Sequence, residues 1–298
     1  MKKQITLQSQ EYLASAFARS FLQDMKLRPG MDPYDIKERI SDTYSESDQM
    51  ELLILGTVFS GYMASKQAYL FSKTLIEDLK DSELNFHITD LHLPFESFFL
   101  DLRNYEKTLD QKRVLGCYIR NLGEPEHCIC YAGLVQNENG GIQIMKGSLD
   151  YGNQKTLEEQ IQDTLGGYEG ETHLHHTIFA LMAYLSSDKP DVIDTGLKAV
   201  RIKLPNRKTS LHATRMWNVG YRYMKEQTNT HAAQTTTAET QHHASPRPHM
   251  RKGHWHTFRC GPGRTQTRVR WVKEQQIGKP GNPDVIRIKT DKKEEPFT

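Results

Sequence analysis

Residues 114–145 read VLGCYIRNLGEPEHCICYAGLVQNENGGIQIM, and this stretch decides the fold class. Its apolar runs at 114–119, 128–135 and 142–145 are short and repeat with a period of two, which is the signature of strands rather than helices. Polar segments at 121–126 and 137–141 separate them. The second separator holds Asn139-Gly140-Gly141, residue types that accept the positive φ a tight hairpin turn requires. The stretch therefore predicts a three-stranded antiparallel meander.

Upstream, residues 98–102 follow the break at Pro94 and read as a further strand. Everything before that has helical spacing. In 9–26, Tyr12, Ala16, Phe17, Phe21 and Met25 fall on one stripe, and Pro29-Gly30 ends the helix. Asp32-Pro33 opens a short second helix, with proline tolerated in the first turn. Residues 45–80 read as one long helix, with Leu52, Leu55, Phe59, Met63, Tyr69, Leu70, Leu75 and Leu79 on its buried side. Ser45 and Asp48 fit a cap on its first-turn amides, and Gly56 and Gly61 mark close packing.

Downstream, 157–165 and 172–185 read as helices, 197–204 as a strand, and 217–224 as a short strand or helix. Residues 226–246 are rich in Thr, Ala, Gln and His and carry no large apolar side chain, so they read as a flexible polar linker. The expected organisation is an α+β main domain at 1–225, that linker, a basic aromatic β-hairpin at 247–278, and a polar tail at 279–298.

The chain has 298 residues, 37% hydrophobic and 26% charged, enough for one large domain with an appendage. The net charge is only +2, yet eight basic residues lie between Arg247 and Lys273 with no acid among them. That asymmetry predicts a local anion-facing surface. Four cysteines in a C-x10-C-x-C pattern plus one distant residue fit neither a zinc site nor a disulfide framework, and read as reduced thiols. No signal-peptide pattern follows Met1-Lys2-Lys3, and the apolar stretch at 52–64 is shorter than the roughly 20 residues of a membrane span. A soluble, cytoplasmic protein is expected.

The hairpin carries the chemistry. Alternation sets His254, His256 and Phe258 on one face of its first strand and Trp255 and Thr257 on the other. In the second strand Arg268 and Arg270 oppose Val269 and Trp271. The apolar face would dock on the main domain and leave a basic face outside. Three readings stand. Arg247, Arg251, Lys252, Arg264, Arg268 and Arg270 would contact phosphates while aromatic residues stack on bases. Alternatively His249, His254 and His256 would hold a metal, as in a His-dependent nuclease, although no carboxylate or cysteine is near in sequence. Or Trp255 and Trp271 anchor a structural hairpin whose charges are merely solvated.

Elsewhere, His173, His175 and His176 look metal-like but fall at the start of a helix without sharing one face, so a capping or surface role is expected. Cys128 and Cys130 read as buried thiols rather than a redox pair. Leu93, Pro94, Phe95 and Phe98 read mainly as core, and otherwise as the lining of a groove for an apolar peptide. No phosphate-binding loop, nucleophile elbow or zinc-protease helix is present, so no catalytic residue, cofactor or metal is assigned.

The run Arg247-Pro-His-Met-Arg-Lys-Gly-His-Trp-His, a Gly-rich turn and Arg268-Val-Arg-Trp resemble the C-terminal signature of a type V-A anti-CRISPR family that suppresses production of the CRISPR effector nuclease. N-terminal helices, the Leu93-Pro94 strand, the meander, the apolar helix and the polar linker come in a similar order. The chain departs from the pattern after Trp271, where Val-Lys-Glu-Gln-Gln-Ile-Gly replaces a proline and a Val-Asn pair. The resemblance implies a non-enzymatic regulator from a phage or plasmid, acting in the bacterial cytoplasm. Its implied partners are the nascent N-terminal peptide of a target, together with messenger RNA or the ribosome, and its implied effect is loss of the target's messenger. The alternative from the residues alone is a nucleic-acid-binding protein with no link to translation.

Overall fold

The structure is a computed structural model that describes residues 10–222 and 249–277, except 42, 106–107, 110–111, 125, 138, 166–168 and 205–206. The expected linker at 226–246, the tail at 279–298 and Arg247 lie outside the described residues.

The meander forms as its alternation requires. Strands β4 (Lys112–Leu122), β5 (Cys128–Gln136) and β6 (Ile142–Asp150) pair antiparallel in sequence order. Gly140 takes a φ of 83° in the β5–β6 turn, as the Asn-Gly-Gly signal predicts. Strand β2 (Ser97–Asp101) joins β4 antiparallel. Beyond it lie β1 (Gln67–Phe71), β8 (Arg207–Val219) and β7 (Val192–Leu204), giving the order β6-β5-β4-β2-β1-β8-β7, with the short β3 (Thr108–Leu109) on β4. The sheet is mixed, because β1 runs parallel to both β2 and β8. The fold is α+β.

β1 corrects the single helix expected over 45–80. The helix stops at Ser65, and Lys66 adopts the left-handed conformation (φ 50°, ψ 40°) with its amide on Tyr62 O at 2.7 Å. The chain then crosses the sheet as Gln-Ala-Tyr-Leu-Phe and re-enters a helix. A central strand covered on both faces is apolar throughout, so its periodicity cannot be told from that of a buried helix. The segment 217–224, left open between strand and helix, contributes Trp217 to Val219 to β8.

Helices cover both sides. On one face, α1 (Gln10–Asp24), α2 (Pro33–Ser41) and α3 (Glu46–Ser65) bury Ala14, Ala18, Leu22, Ile36, Val58 and Phe59 against Phe99, Tyr118 and Ala132. Each large side chain removed from water this way contributes about 1.5–3 kcal/mol. Every residue from Leu55 to Met63 in α3 is buried, because the sheet, α1 and α2 enclose it. Gly61 makes the approach possible: a Cβ there would lie 2.6 Å from Arg120 Cδ and 2.8 Å from Ser97 Oγ. Arg120, 6% exposed, donates through Nη1 to Met31 O and Thr57 O, both at 3.0 Å, and pairs with Glu96. It therefore ties helices and sheet together. The expected Ser45 cap is not made, because its hydroxyl donates to Asp48 Oδ2 at 2.6 Å instead of accepting an amide.

On the other face lie α4 (Lys73–Leu79), α5 (Leu157–Leu165) and α6 (Glu169–Ser186). Phe179, Leu181 and Met182 of α6 pack with Tyr69, Phe98 and Ile119 of the sheet. His175 is 2% exposed, its ring 5.2 Å from that of Tyr131, and His176 pairs with Glu158 at 3.1 Å. The capping or surface role expected for these histidines gives way to burial at His175, which α6 carries against the sheet, while His173 and His176 are half-buried. No helix among the described residues is long and apolar enough to cross a membrane.

Candidate nucleic-acid interface

Strands β10 (His254–Cys260) and β11 (Gln266–Val272) pair antiparallel, with Trp255 opposite Trp271, His256 opposite Arg270 and Phe258 opposite Arg268. A single 3-10 turn at Pro262–Arg264 joins them, entered through Gly261 (φ 77°). Beside the pair, β9 (His249–Arg251) runs antiparallel to β12 (Gln275–Ile277).

Strand alternation gives the pair two unlike faces. The inner face is part of the main core: Val269 is fully buried, Trp271 is 9% exposed, and β11 packs on α6 and on the turn at Ile88–Asp90. The rings of Trp255 and Trp271 lie 5.0 Å apart, and Trp255 also meets Phe86 edge-on at 5.8 Å. Trp255 Nε1 donates to Ser82 Oγ at 3.0 Å, so its polar end is satisfied.

The outer face presents Arg268 and Arg270 to solvent; Arg251 and Lys252 before β10 and Arg264 in the turn are exposed beside it, while exposed Arg259 ends β10 on the Trp255 side. Arg270 forms an ion pair with Asp188 and lies 4.9 Å over the Phe258 ring, which is itself stacked on His256 at 6.4 Å. Arg268, by contrast, makes no ion pair among the described residues. His254 is held from both sides: Arg251 Nη2 lies 3.1 Å from Nε2 and Lys252 O lies 3.2 Å from Nδ1. A guanidinium only donates, so Nε2 accepts and Nδ1 carries the proton. Among the described residues, no group of three or more His, Cys, Asp or Glu is placed to hold a metal ion. The side chain of His249 lies outside the described residues.

A cleft of about 540 Å³ opens where β11 begins, lined by Thr89, Asp90, His92, Thr265, Gln266, Thr267 and Arg268. Its far wall is a 3-10 turn at Ile88–Asp90, where Asp90 Oδ2 accepts the His87 amide at 3.1 Å. Sequence reading singled out Arg268 but missed Asp90 and His92, which are more than 170 positions away and carry no local motif.

The residues named as a peptide groove divide. Phe98 is fully buried against Tyr69, 5.5 Å between rings, and offers no surface. Leu93 and Phe95 are half-buried and Pro94 is exposed. Phe95 instead joins an aromatic group that sequence reading missed, 6.0 Å from Trp217 and 6.4 Å from Tyr69. Trp217 stacks on Tyr69 at 6.2 Å, receives Arg215 at 5.0 Å, and donates Nε1 to Gln67 Oε1 at 2.8 Å.

Cys128 and Cys130 have Sγ atoms 3.8 Å apart, with Cys130 buried and Cys128 half-exposed. The hydrogen bond from Cys130 lowers the Cys128 thiol below its ordinary value, while the same bond, then burial, raises Cys130.

Residues 69–278 match the profile of the AcrVA2-like family, described as the anti-CRISPR type V subtype A2 family. Among solved structures, a crystal structure of AcrVA2 superposes with a TM-score of 0.51 at 14% identity, covering 90% of this chain and 94% of that one. At that identity the likeness speaks for the fold. No curated protein matches the sequence.

Proposed function

Because the chain belongs to the anti-CRISPR type V subtype A2 family, we propose that it acts against a CRISPR effector by lowering its production during translation. In this reading the protein engages the nascent N-terminal peptide of the effector, and the outer face of the hairpin contacts messenger RNA or the ribosome. Loss of the messenger follows, carried out by a host nuclease. The protein would come from a phage or plasmid and work in the bacterial cytoplasm.

The observation that carries the RNA contact is the asymmetry of the hairpin. Its inner face is anchored in the core by Trp255, Val269 and Trp271, so Arg268 and Arg270 are held facing outward, with exposed Arg251, Lys252 and Arg264 beside them. Preorganised cations next to stackable rings suit a single-stranded, negatively charged partner. For the peptide, the half-buried group of Leu93, Phe95 and Trp217 is the apolar surface nearest to what an extended chain needs.

The test is co-purification of the tagged protein from translating cells, with sequencing of the RNA and peptides recovered. The reading expects ribosomes enriched in one messenger. It expects that enrichment to fall when Arg251, Lys252, Arg268 and Arg270 are replaced by Ala. Unchanged association in that variant would overturn the assignment of the hairpin, and recovery of DNA alone would favour a DNA-binding protein.

A further inference from the structure

The cleft at the start of β11 combines groups that the rest of the outer face lacks. Arg268 supplies an exposed cation with no ion pair among the described residues. Thr89, Thr265 and Thr267 supply hydroxyls, Gln266 an amide and His92 an imidazole. Asp90 is the one carboxylate in the lining. It is only 9% exposed, and its Oδ2 accepts the His87 amide, which orients a carboxylate that keeps acceptor capacity on both oxygens.

A site with a guanidinium at its rim and an oriented, largely desolvated carboxylate inside selects a ligand that is anionic at one end and a hydrogen-bond donor at the other. The volume of about 540 Å³ falls within the range of small-molecule sites and exceeds what an amino acid needs. A nucleotide fits both demands. Among the bases, guanine presents two adjacent donors, N1–H and N2–H, to one carboxylate. Uracil offers a single N–H flanked by acceptors, which Asp90 would repel.

We infer that this cleft captures one unstacked guanosine nucleotide of single-stranded RNA, its phosphate on Arg268 and its base edge on Asp90. This rests on the RNA contact proposed above and adds base selection to it. The remaining exposed cations bind the backbone without reading sequence.

The experiment uses the full chain and two fluorescein-labelled RNA octamers, one of eight uridines and one with a single central guanosine. Fluorescence anisotropy is expected to give about tenfold tighter binding for the guanosine octamer, the worth of one good base-edge pair. Asp90→Asn keeps an oxygen for the His87 amide, so it should fold, and should abolish the difference, weakening the guanosine octamer and not weakening the uridine octamer. Arg268→Ala should weaken both. Independently of any variant, GMP should compete with the guanosine octamer and UMP should not. Equal binding of both octamers to the wild type, or a guanosine preference intact in Asp90→Asn, overturns the cleft but leaves the basic face as an RNA contact. Binding of neither RNA, with binding of an acidic peptide instead, overturns both.

Discussion

Trp255 and Trp271 face each other across the hairpin, paired in register with ring centroids 5.0 Å apart, and fasten a basic face to the apolar core. The strength of that fastening is measurable. Truncating Trp271, which is 9% exposed and sits 2.6 Å from where a Gly253 Cβ would be, should cost about 3–5 kcal/mol in urea unfolding. Trp255→Phe keeps an aromatic ring but loses part of the indole and the bond to Ser82, and should cost at least about 1 kcal/mol.

Arg268 and Arg270 share the outer face but differ in what already holds them. Arg268→Ala should weaken RNA binding and reduce the slope of log affinity against log salt by about one, with little effect on stability. Arg270 is engaged with Asp188 and Phe258, so its replacement should in addition lower stability by up to about 1 kcal/mol. Titrating RNA at several salt concentrations, beside thermal melts, separates the two.

Gly61 lies where α3 meets the sheet. Gly61→Ala places a methyl group 2.6 Å from Arg120 Cδ and 2.8 Å from Ser97 Oγ, and should destabilise by about 1–3 kcal/mol. An unchanged unfolding midpoint would contradict this packing.

The cysteine pair predicts a pH dependence with a definite sign. The Cys130 hydrogen bond lowers Cys128, so alkylation of Cys128 by iodoacetamide should begin at a lower pH than for an ordinary thiol. Cys130→Ala removes that bond and should move the profile to higher pH. Mass spectrometry of the labelled peptides reads both, with buried Cys117, whose thiol burial pushes upward, remaining unlabelled throughout.

The meander was legible because Asn139-Gly140-Gly141 and the flanking period of two point the same way. The two-faced pattern of residues 254–272 was legible for the same reason, since alternation alone puts Trp255 and Trp271 opposite Arg268 and Arg270. β1 was not, because Ala68 to Phe71 is buried on both faces and reads equally well as helix. Asp188, 82 positions before Arg270, and Asp90 in the cleft were not legible either. Their roles depend on where the sheet and α6 carry them, and no local spacing encodes that.

The central claim is that production of the effector, not its finished activity, is the target. The most direct measurement is the level of an effector messenger in cells with and without this protein, for an intact reading frame and for one shifted just after the start codon. The account predicts loss of the intact messenger and survival of the frameshifted one, because only the former displays the recognised peptide. Equal messenger levels in all four conditions, or equal loss of both messengers, would contradict it.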